Sequence, residues 1–162
     1  FDAMAGAVMD HGGEVLKFIG DAVLAIFPID DPTSEKPIAS TNAITAVRTA
    51  ERRLAKLNQD RQSGGQPVLG YGISLHRGDL TYGNIGASGR LDFTVIGPAV
   101  NQAARIQDMC KDLGVPVLLS ATFADSFAGK LLSFGEHPLR GVEAKQELFT
   151  LPPENAFETA AE

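Results

Sequence analysis

Residues 16–27 read Leu16-Lys17-Phe18-Ile19-Gly20-Asp21-Ala22-Val23-Leu24-Ala25-Ile26-Phe27. Gly20-Asp21 separates two apolar runs in this stretch. A glycine followed by a small polar residue between such runs predicts a β-hairpin, because glycine accepts the positive φ of a two-residue turn. Asp21 then lies at the tip of the hairpin, and Lys17 is the one charge on a strand that otherwise predicts burial. The hairpin therefore carries the first two candidate functional residues.

Lys17 and Asp21 each have a functional and an ordinary interpretation. Carboxylate oxygens are the ligands that Mg²⁺ prefers, and a lysine offers three donors to a ring nitrogen, a carbonyl or a phosphate. An aspartate is also a common turn residue, and a lysine can rest its stem along a strand while its charge stays in water. The hairpin alone favours the ordinary interpretation.

The composition is that of a globular protein. The chain has 162 residues, 44% hydrophobic and 21% charged, which is enough for one domain with a core. Its net charge of -6 argues against general nucleic-acid binding, which favours a basic face. The single cysteine, Cys110, excludes a disulfide framework or cysteine-based zinc site and favours a reducing, cytoplasmic setting. No apolar run approaches the roughly 20 residues that span a bilayer, so membrane contact is expected only through segments outside this chain.

Helix and strand patterns alternate irregularly along the chain. Helices are predicted at 1–11, from Ser40 or Thr41 to Asn58, at 99–113 and from a Ser120 cap to Phe127. Strands are predicted at 68–76, 93–96, 115–119, 132–139 and 147–151, with a surface loop at 28–37 and a turn at 87–90. The core-facing stripe of the second helix is Ile44, Val47, Ala50, Leu54 and Leu57. This order predicts an α+β fold with a mixed or antiparallel sheet.

The second informative stretch, residues 97–105, reads Gly97-Pro98-Ala99-Val100-Asn101-Gln102-Ala103-Ala104-Arg105. Its Gly97-Pro98 opens a helix, with proline in the favoured first turn. Asn101 and Arg105 are four residues apart, so they share one helix face and can contact one ligand. Both side chains offer donors to a phosphate or a developing oxyanion. The ordinary alternative is an exposed face on which Arg105 pairs with Asp108.

Taken together, three stretches resemble the class III adenylyl/guanylyl cyclase catalytic domain. They are Lys17-Phe18-Ile19-Gly20-Asp21, Gly83-Asn84-Ile85-Gly86 and Phe93-Thr94-Val95-Ile96-Gly97-Pro98-Ala99-Val100-Asn101-Gln102-Ala103-Ala104-Arg105. Their order and separations agree with the family, and the resemblance runs from Phe1 to about Leu151. It implies a ferredoxin-like α+β core with flanking helices, in which two domains pair head-to-tail with active sites at their interface.

The resemblance implies a metal-binding role for Asp21 and a base-reading role for Lys17 and Thr94. Asp21 matches the second of two metal-binding aspartates, which hold Mg²⁺ or Mn²⁺. Lys17 matches the lysine that reads the adenine of ATP, where guanylyl cyclases usually carry Glu. Thr94 falls where many adenylyl cyclases have an Asp that also contacts adenine, and a Thr there resembles the bicarbonate-responsive subclass.

The remaining matches concern the ribose and the phosphates. Asn101 matches the residue that orients the ribose, and Arg105 matches the one that stabilises charge on the phosphates in the transition state. Arg140, in Leu139-Arg140-Gly141-Val142, falls near a family Lys that contacts the terminal phosphates. The implied reaction is attack of the ribose 3′-hydroxyl on the α-phosphorus, with pyrophosphate leaving. Two metals would activate the attacking oxygen and neutralise the leaving oxygen. Protein groups would supply positioning and charge stabilisation.

The chain departs from the family at its first metal-binding aspartate. That aspartate lies on a strand that precedes the helix at 1–11, and neither Asp2 nor Asp10 has the setting to replace it. We therefore expect a catalytic domain at 1–152 that lacks its N-terminal strand and first metal Asp, followed by a tail at 153–162. We expect the fragment alone to be inactive and the full-length protein to be active. Cyclic AMP production by residues 1–162 that depends on Asp21 would contradict this expectation.

Two other functions compete with that of an adenylate cyclase homodimer. The first is a catalytically inactive cyclase-homology domain that serves as a dimerisation or nucleotide-sensing module. Retention of Lys17, Asp21, Asn101 and Arg105 argues against it, since a degenerate site has no reason to keep all of them. The second is a guanylyl cyclase, which Lys17 disfavours.

Overall fold

The computed structural model describes residues 1–31, 33–87 and 90–154, without the side chains of 85–87, 90–92 and 94. The chain divides into two compact units, one of Phe1–Tyr71 with Leu80–Gly97 and one of Gly72–Asp79 with the residues that follow Gly97. The helices are α1 (Asp2–Asp10), α2 (Ile38–Ser63), α3 (Pro98–Leu113) and α4 (Ala121–Asp125). The strands are β1 (Glu14–Ile19), β2 (Ala22–Ile26), β3 (Ile73–Leu75), β4 (Thr81–Ala87), β5 (Arg90–Ile96), β6 (Val117–Ser120), β7 (Leu132–His137) and β8 (Gln146–Thr150).

The first unit contains α1, α2 and two antiparallel hairpins. Strands β1 and β2 pair as predicted, with Ile19 opposite Ala22. Gly20 in their turn has a φ of +62°, which residues with a Cβ rarely adopt. Helix α1 packs on α2 and on both strands, and the facing helix surfaces bury small side chains, among them Ala5, Ala43 and Ala46. Strands β4 and β5 form the second hairpin, with Thr81 opposite Ile96.

The second unit is a mixed four-stranded sheet in the order β3-β6-β8-β7. Strands β3 and β6 are parallel, and the other two pairs are antiparallel. Every residue of β6 is buried, as expected of an inner strand. Helix α3 packs on β3 and β6. The core of the unit is a cluster of Ile106, Cys110, Leu118, Leu139 and Leu148.

The α+β class and the mixed sheet are confirmed, but two elements differ from their predicted bounds. Helix α2 begins at Ile38, directly after an extended Pro37, so neither Ser40 nor Thr41 caps it. It also runs past Asn58 to Ser63. The predicted strand at 68–76 shortens to β3, Ile73–Leu75. Its first part is lost because the Asn58 side chain binds the backbone N–H and C=O of Leu69, at 2.7 and 2.9 Å, in place of a neighbouring strand.

Two burial predictions were wrong. The first hairpin is not buried near its tip, since Phe18 is 52% and Ile19 is 54% exposed. Among the described residues β1 pairs with β2 alone, so much of the surface of this ribbon stays in solvent. Leu57 of the predicted core stripe is 40% exposed, whereas Val47 and Leu54 are buried as predicted.

Parts of two predicted features lie outside the described residues. Of the predicted turn at 87–90, Ser88 and Gly89 lie outside the described residues, as does Pro32 of the loop at 28–37. None of the described helices combines the length and the apolar character needed to cross a membrane.

Candidate active site

The hairpin of β1 and β2 presents Lys17 and Asp21 to solvent. Lys17 lies opposite Leu24 in the ladder, and a register irregularity precedes it. Asp21 follows Gly20 in the turn, and both charged side chains are exposed. The Asp21 carboxylate offers the hard oxygen ligands that Mg²⁺ and Mn²⁺ take. Within the described part of the chain no three His, Cys, Asp or Glu side chains form a metal-binding group. Asp21 could therefore supply a single carboxylate to a divalent cation, and further ligands would have to come from elsewhere.

Thr94 lies on β5, opposite Gly83 of β4. Its side chain is outside the described residues, so the predicted adenine contact stays a prediction. The rings of Tyr82 and Phe93 beside it meet edge to face, with centroids 6.2 Å apart. Both rings are more than two-fifths exposed, at 44% and 43%, which leaves aromatic surface on this hairpin.

Helix α3 carries Asn101 and Arg105 as predicted. Asn101 is exposed and Arg105 is half-buried, while Ile106, the next residue, is fully buried. Because Ile106 is held in the core, it fixes the rotation of the helix and therefore the direction of the Asn101–Arg105 face. The alternative ion pair between Arg105 and Asp108 does not form among the described residues.

A hydrogen bond from the neighbouring strand holds α3 at the level of these two residues. The Ser74 hydroxyl of β3 donates to the backbone carbonyl of Ala103, at 2.7 Å. Further along, Gly72 lies so close to α3 that a Cβ there would come within 2.9 Å of the Cβ of Cys110. Burial raises the pKa of the Cys110 thiol to about 11, so this side chain packs rather than reacts, as the sequence predicted. The sequence did not predict the role of Ser74, for which a polar residue inside a short apolar strand was the available signal.

Arg140 lies in a turn that contacts Arg105. The Val142 N–H donates to the Leu139 carbonyl at 3.0 Å, and Gly141 has a φ of +73°. A Cβ placed on Gly141 would be 3.3 Å from Nη2 and 3.6 Å from Cζ of Arg105. The Arg105 guanidinium therefore lies against Gly141, directly beside exposed Arg140. The structure thus brings the Arg105 side chain to the turn that contains Arg140, which is 35 residues away in sequence.

A hydrogen-bond network around His76 was not predicted. His76 Nδ1 and Ser120 Oγ are 2.9 Å apart, Ser120 Oγ and Thr122 Oγ1 are 3.0 Å apart, and Thr122 donates to the Arg77 carbonyl at 3.1 Å. Ser120 also accepts from the N–H of Phe123 at 3.2 Å, which confirms the predicted cap of α4. Burial lowers the pKa of His76 from its ordinary 6.5.

Comparison with known proteins identifies cyclases that are similar to this chain in sequence. No protein-family model matches the chain. The adenylate cyclase of Anabaena cylindrica is 37% identical over 121 residues, which are 72% of this chain and 22% of that protein. The chain therefore spans about a fifth of the length of this relative.

Solved cyclase structures have a fold similar to that of this chain. A bacterial light-regulated adenylyl cyclase superimposes with a TM-score of 0.72 at 30% identity, over 93% of this chain and 42% of that chain. The guanylyl cyclase Cya2 superimposes with a TM-score of 0.74 over 96% of this chain and 79% of that chain. At 22% identity, the second likeness bears on the fold and leaves the choice of nucleotide open.

Proposed function

Because the chain belongs to the class III adenylyl/guanylyl cyclase catalytic domains, we propose that it is the catalytic domain of an adenylate cyclase. It converts ATP into 3′,5′-cyclic AMP and pyrophosphate. Residues 1–152 form the domain and 153–162 its tail. Two copies pair as a homodimer, and the active sites are built at their interface.

The meeting of Arg105 with the turn of Arg140 carries this proposal. A guanidinium is planar and permanently charged, and it binds phosphate oxygens in pairs. Arg105 has no carboxylate ion partner among the described residues, so an external polyanion is the natural counter-charge. The triphosphate of a nucleotide supplies it.

The residues of α3 serve the reacting end of ATP. The ribose 3′-hydroxyl releases its proton to solvent as its oxygen bonds to the α-phosphorus, the bond from that phosphorus to the pyrophosphate oxygen breaks, and charge grows on the phosphate oxygens. Arg105 donates to those oxygens where the charge develops, and the Asn101 amide orients the ribose through its donors and acceptor. Arg140 holds the terminal phosphates.

The residues of the two hairpins serve the base and the metal. The Lys17 ammonium donates to an acceptor of the adenine ring, and Thr94 contacts the same base. Asp21 supplies one ligand for Mg²⁺ or Mn²⁺, and such ions, when bound, activate the attacking oxygen and neutralise the leaving one.

The test is cyclic AMP production from ATP by the purified full-length protein, with Mg²⁺ or Mn²⁺. We expect the double variant Asn101→Ala/Arg105→Ala to lower kcat by about 100-fold or more, because it removes donors aimed at developing charge. The matched control is Asp108→Ala/Lys111→Ala, which changes two exposed residues of the same helix and should keep the wild-type rate.

Two results would contradict the proposal. A folded dimer that makes no cyclic AMP with either metal would indicate an inactive cyclase-homology module. Turnover of GTP in preference to ATP would indicate a guanylyl cyclase.

A further inference from the structure

We infer that Gly141 is a positioning residue for Arg105. By having no side chain, Gly141 lets the guanidinium rest against the backbone of the turn, and that contact sets the direction in which Arg105 meets the phosphates. The inference rests on the proposed function of Arg105 and adds to it the group that holds the arginine in place.

The turn that carries Gly141 is fixed to the same core as the helix that carries Arg105. Leu139 is 3% exposed and belongs to one cluster with Ile106, and Val142 packs against that cluster. The hydrogen bond from Val142 to Leu139 closes the turn between these two anchors. Since Ile106 follows Arg105 directly, a single cluster determines where both the turn and the arginine lie.

Glycine at position 141 meets two demands. Its φ of +73° is the conformation that the third residue of a type II turn requires, and residues with a Cβ adopt it at a cost. In addition, three guanidinium atoms of Arg105 lie 3.3 to 3.9 Å from where a Cβ would stand. Only Nη2, at 3.3 Å, is nearer than ordinary van der Waals contact, so a Cβ would displace the end of this flexible side chain by a few tenths of an ångström. Such a shift costs little in stability and much in a reaction that depends on alignment.

The two demands can be separated by substitution. Asparagine tolerates a positive φ better than other residues, but it has a Cβ. If Gly141 serves only the turn, Gly141→Asn should be nearly neutral. If it also positions Arg105, Gly141→Asn and Gly141→Ala should both be harmful.

The experiment measures kcat, KM for ATP and thermal stability for Gly141→Ala and Gly141→Asn in the full-length protein. The matched control is Gly65→Ala, because Gly65 has a φ of +70° and no heavy atom within 4 Å of its Cβ position. We expect both Gly141 variants to lower kcat by about 3- to 10-fold and to change KM by less than about twofold. Gly65→Ala should show a loss of stability similar to that of Gly141→Ala and an unchanged kcat.

A double-mutant cycle gives a readout that a purely structural role would not change. In an Arg105→Ala background, Gly141→Ala should have no further effect on kcat, because the group that it displaces is absent. Additive losses, or full kcat in Gly141→Asn, would overturn the inference while leaving the proposed function in place. A wild-type protein without cyclase activity would overturn both.

Discussion

Lys17 is a charged side chain in a strand whose neighbouring residues, Phe18 and Ile19, are apolar and more than half exposed. An ammonium can only donate hydrogen bonds, whereas a carboxylate can only accept them. If Lys17 contacts the base as proposed, the choice at this position decides which hydrogen-bonding edge of a purine can bind. Under that proposal, the difference between Lys and Glu bears on the choice of nucleotide, which the fold leaves open.

Replacing Lys17 by Glu tests its contact with adenine. We expect Lys17→Glu to lower kcat/KM for ATP by about 10- to 100-fold, the value of a lost hydrogen bond to a charged group. The measurement is the rate of cyclic AMP formation at several ATP concentrations. Lys56→Glu is the matched control, because Lys56 is an exposed lysine of α2 and its replacement makes the same change in net charge. Equal ATP turnover by Lys17→Glu and wild type would remove the adenine-reading role.

For individual residues, the sequence predicts which side chains lie close together on one helix or strand. It does not predict which side chains of distant elements are brought together by packing. The four-residue spacing of Asn101 and Arg105 was enough to place both on one face of α3. The contact between Arg105 and Gly141 depends on how Leu139 and Ile106 pack in the core. No local pattern encodes that packing, so the partner of Arg105 was not predictable.

Helices and strands with a strong local signal were predicted close to their true bounds. Helix α3 was expected at 99–113 and runs over Pro98–Leu113, because Gly97-Pro98 and Gly114 mark its ends. The errors come from tertiary contacts that replace local ones. Leu69 was predicted within a strand, but the Asn58 side chain takes its backbone groups. The network of His76 likewise joins elements that are distant in sequence.

The network around His76 predicts how stability changes with pH. The groups that hold the imidazole are neutral hydroxyls of Ser120 and Thr122, and burial lowers its pKa below 6.5. Between the folded pKa and 6.5 the unfolded state binds more protons than the folded state. The contribution of His76 to stability is therefore complete above about pH 6.5 and is lost as the pH falls through the folded pKa.

Thermal unfolding from pH 7.5 to pH 5.5 measures this effect. We expect Tm to fall with decreasing pH in the wild type, and to fall less in His76→Gln, whose amide keeps hydrogen-bonding capacity but does not titrate. Comparing the two slopes removes the contribution of the carboxylates, which are the same in both proteins. Identical slopes would contradict this expectation, because they would mean that folding leaves the pKa of His76 unchanged.

For the whole molecule, the sequence predicted the kind and order of elements better than the distribution of strands among sheets. The described strands form one mixed four-stranded sheet and two separate two-stranded ribbons. Strand pairing beyond a hairpin depends on contacts that are distant in sequence, which period and turn signals do not encode. The same limit explains why the hairpin of β1 and β2 was expected to be buried.

The exposed tip of that hairpin predicts how the proposed homodimer forms. Phe18 and Ile19 are 52% and 54% exposed, and apolar side chains of this size contribute about 1.5 to 3 kcal/mol each when they become buried. If the tip lies in the dimer interface, Phe18→Ser should raise the dissociation constant of the dimer by at least about tenfold, since 1.4 kcal/mol corresponds to that factor. Analytical ultracentrifugation over a range of protein concentrations measures this constant.

An even more exposed apolar residue elsewhere distinguishes a specific interface from non-specific hydrophobic association. Ile38, at the start of α2, is 76% exposed, and Ile38→Ser removes a comparable apolar surface. We expect Ile38→Ser to leave the dissociation constant unchanged, because solvent-exposed apolar residues outside an interface add nothing to association. Equal effects of the two substitutions would mean that the hairpin tip has no special part in dimer formation. The pairing surface would then have to lie on another part of the chain.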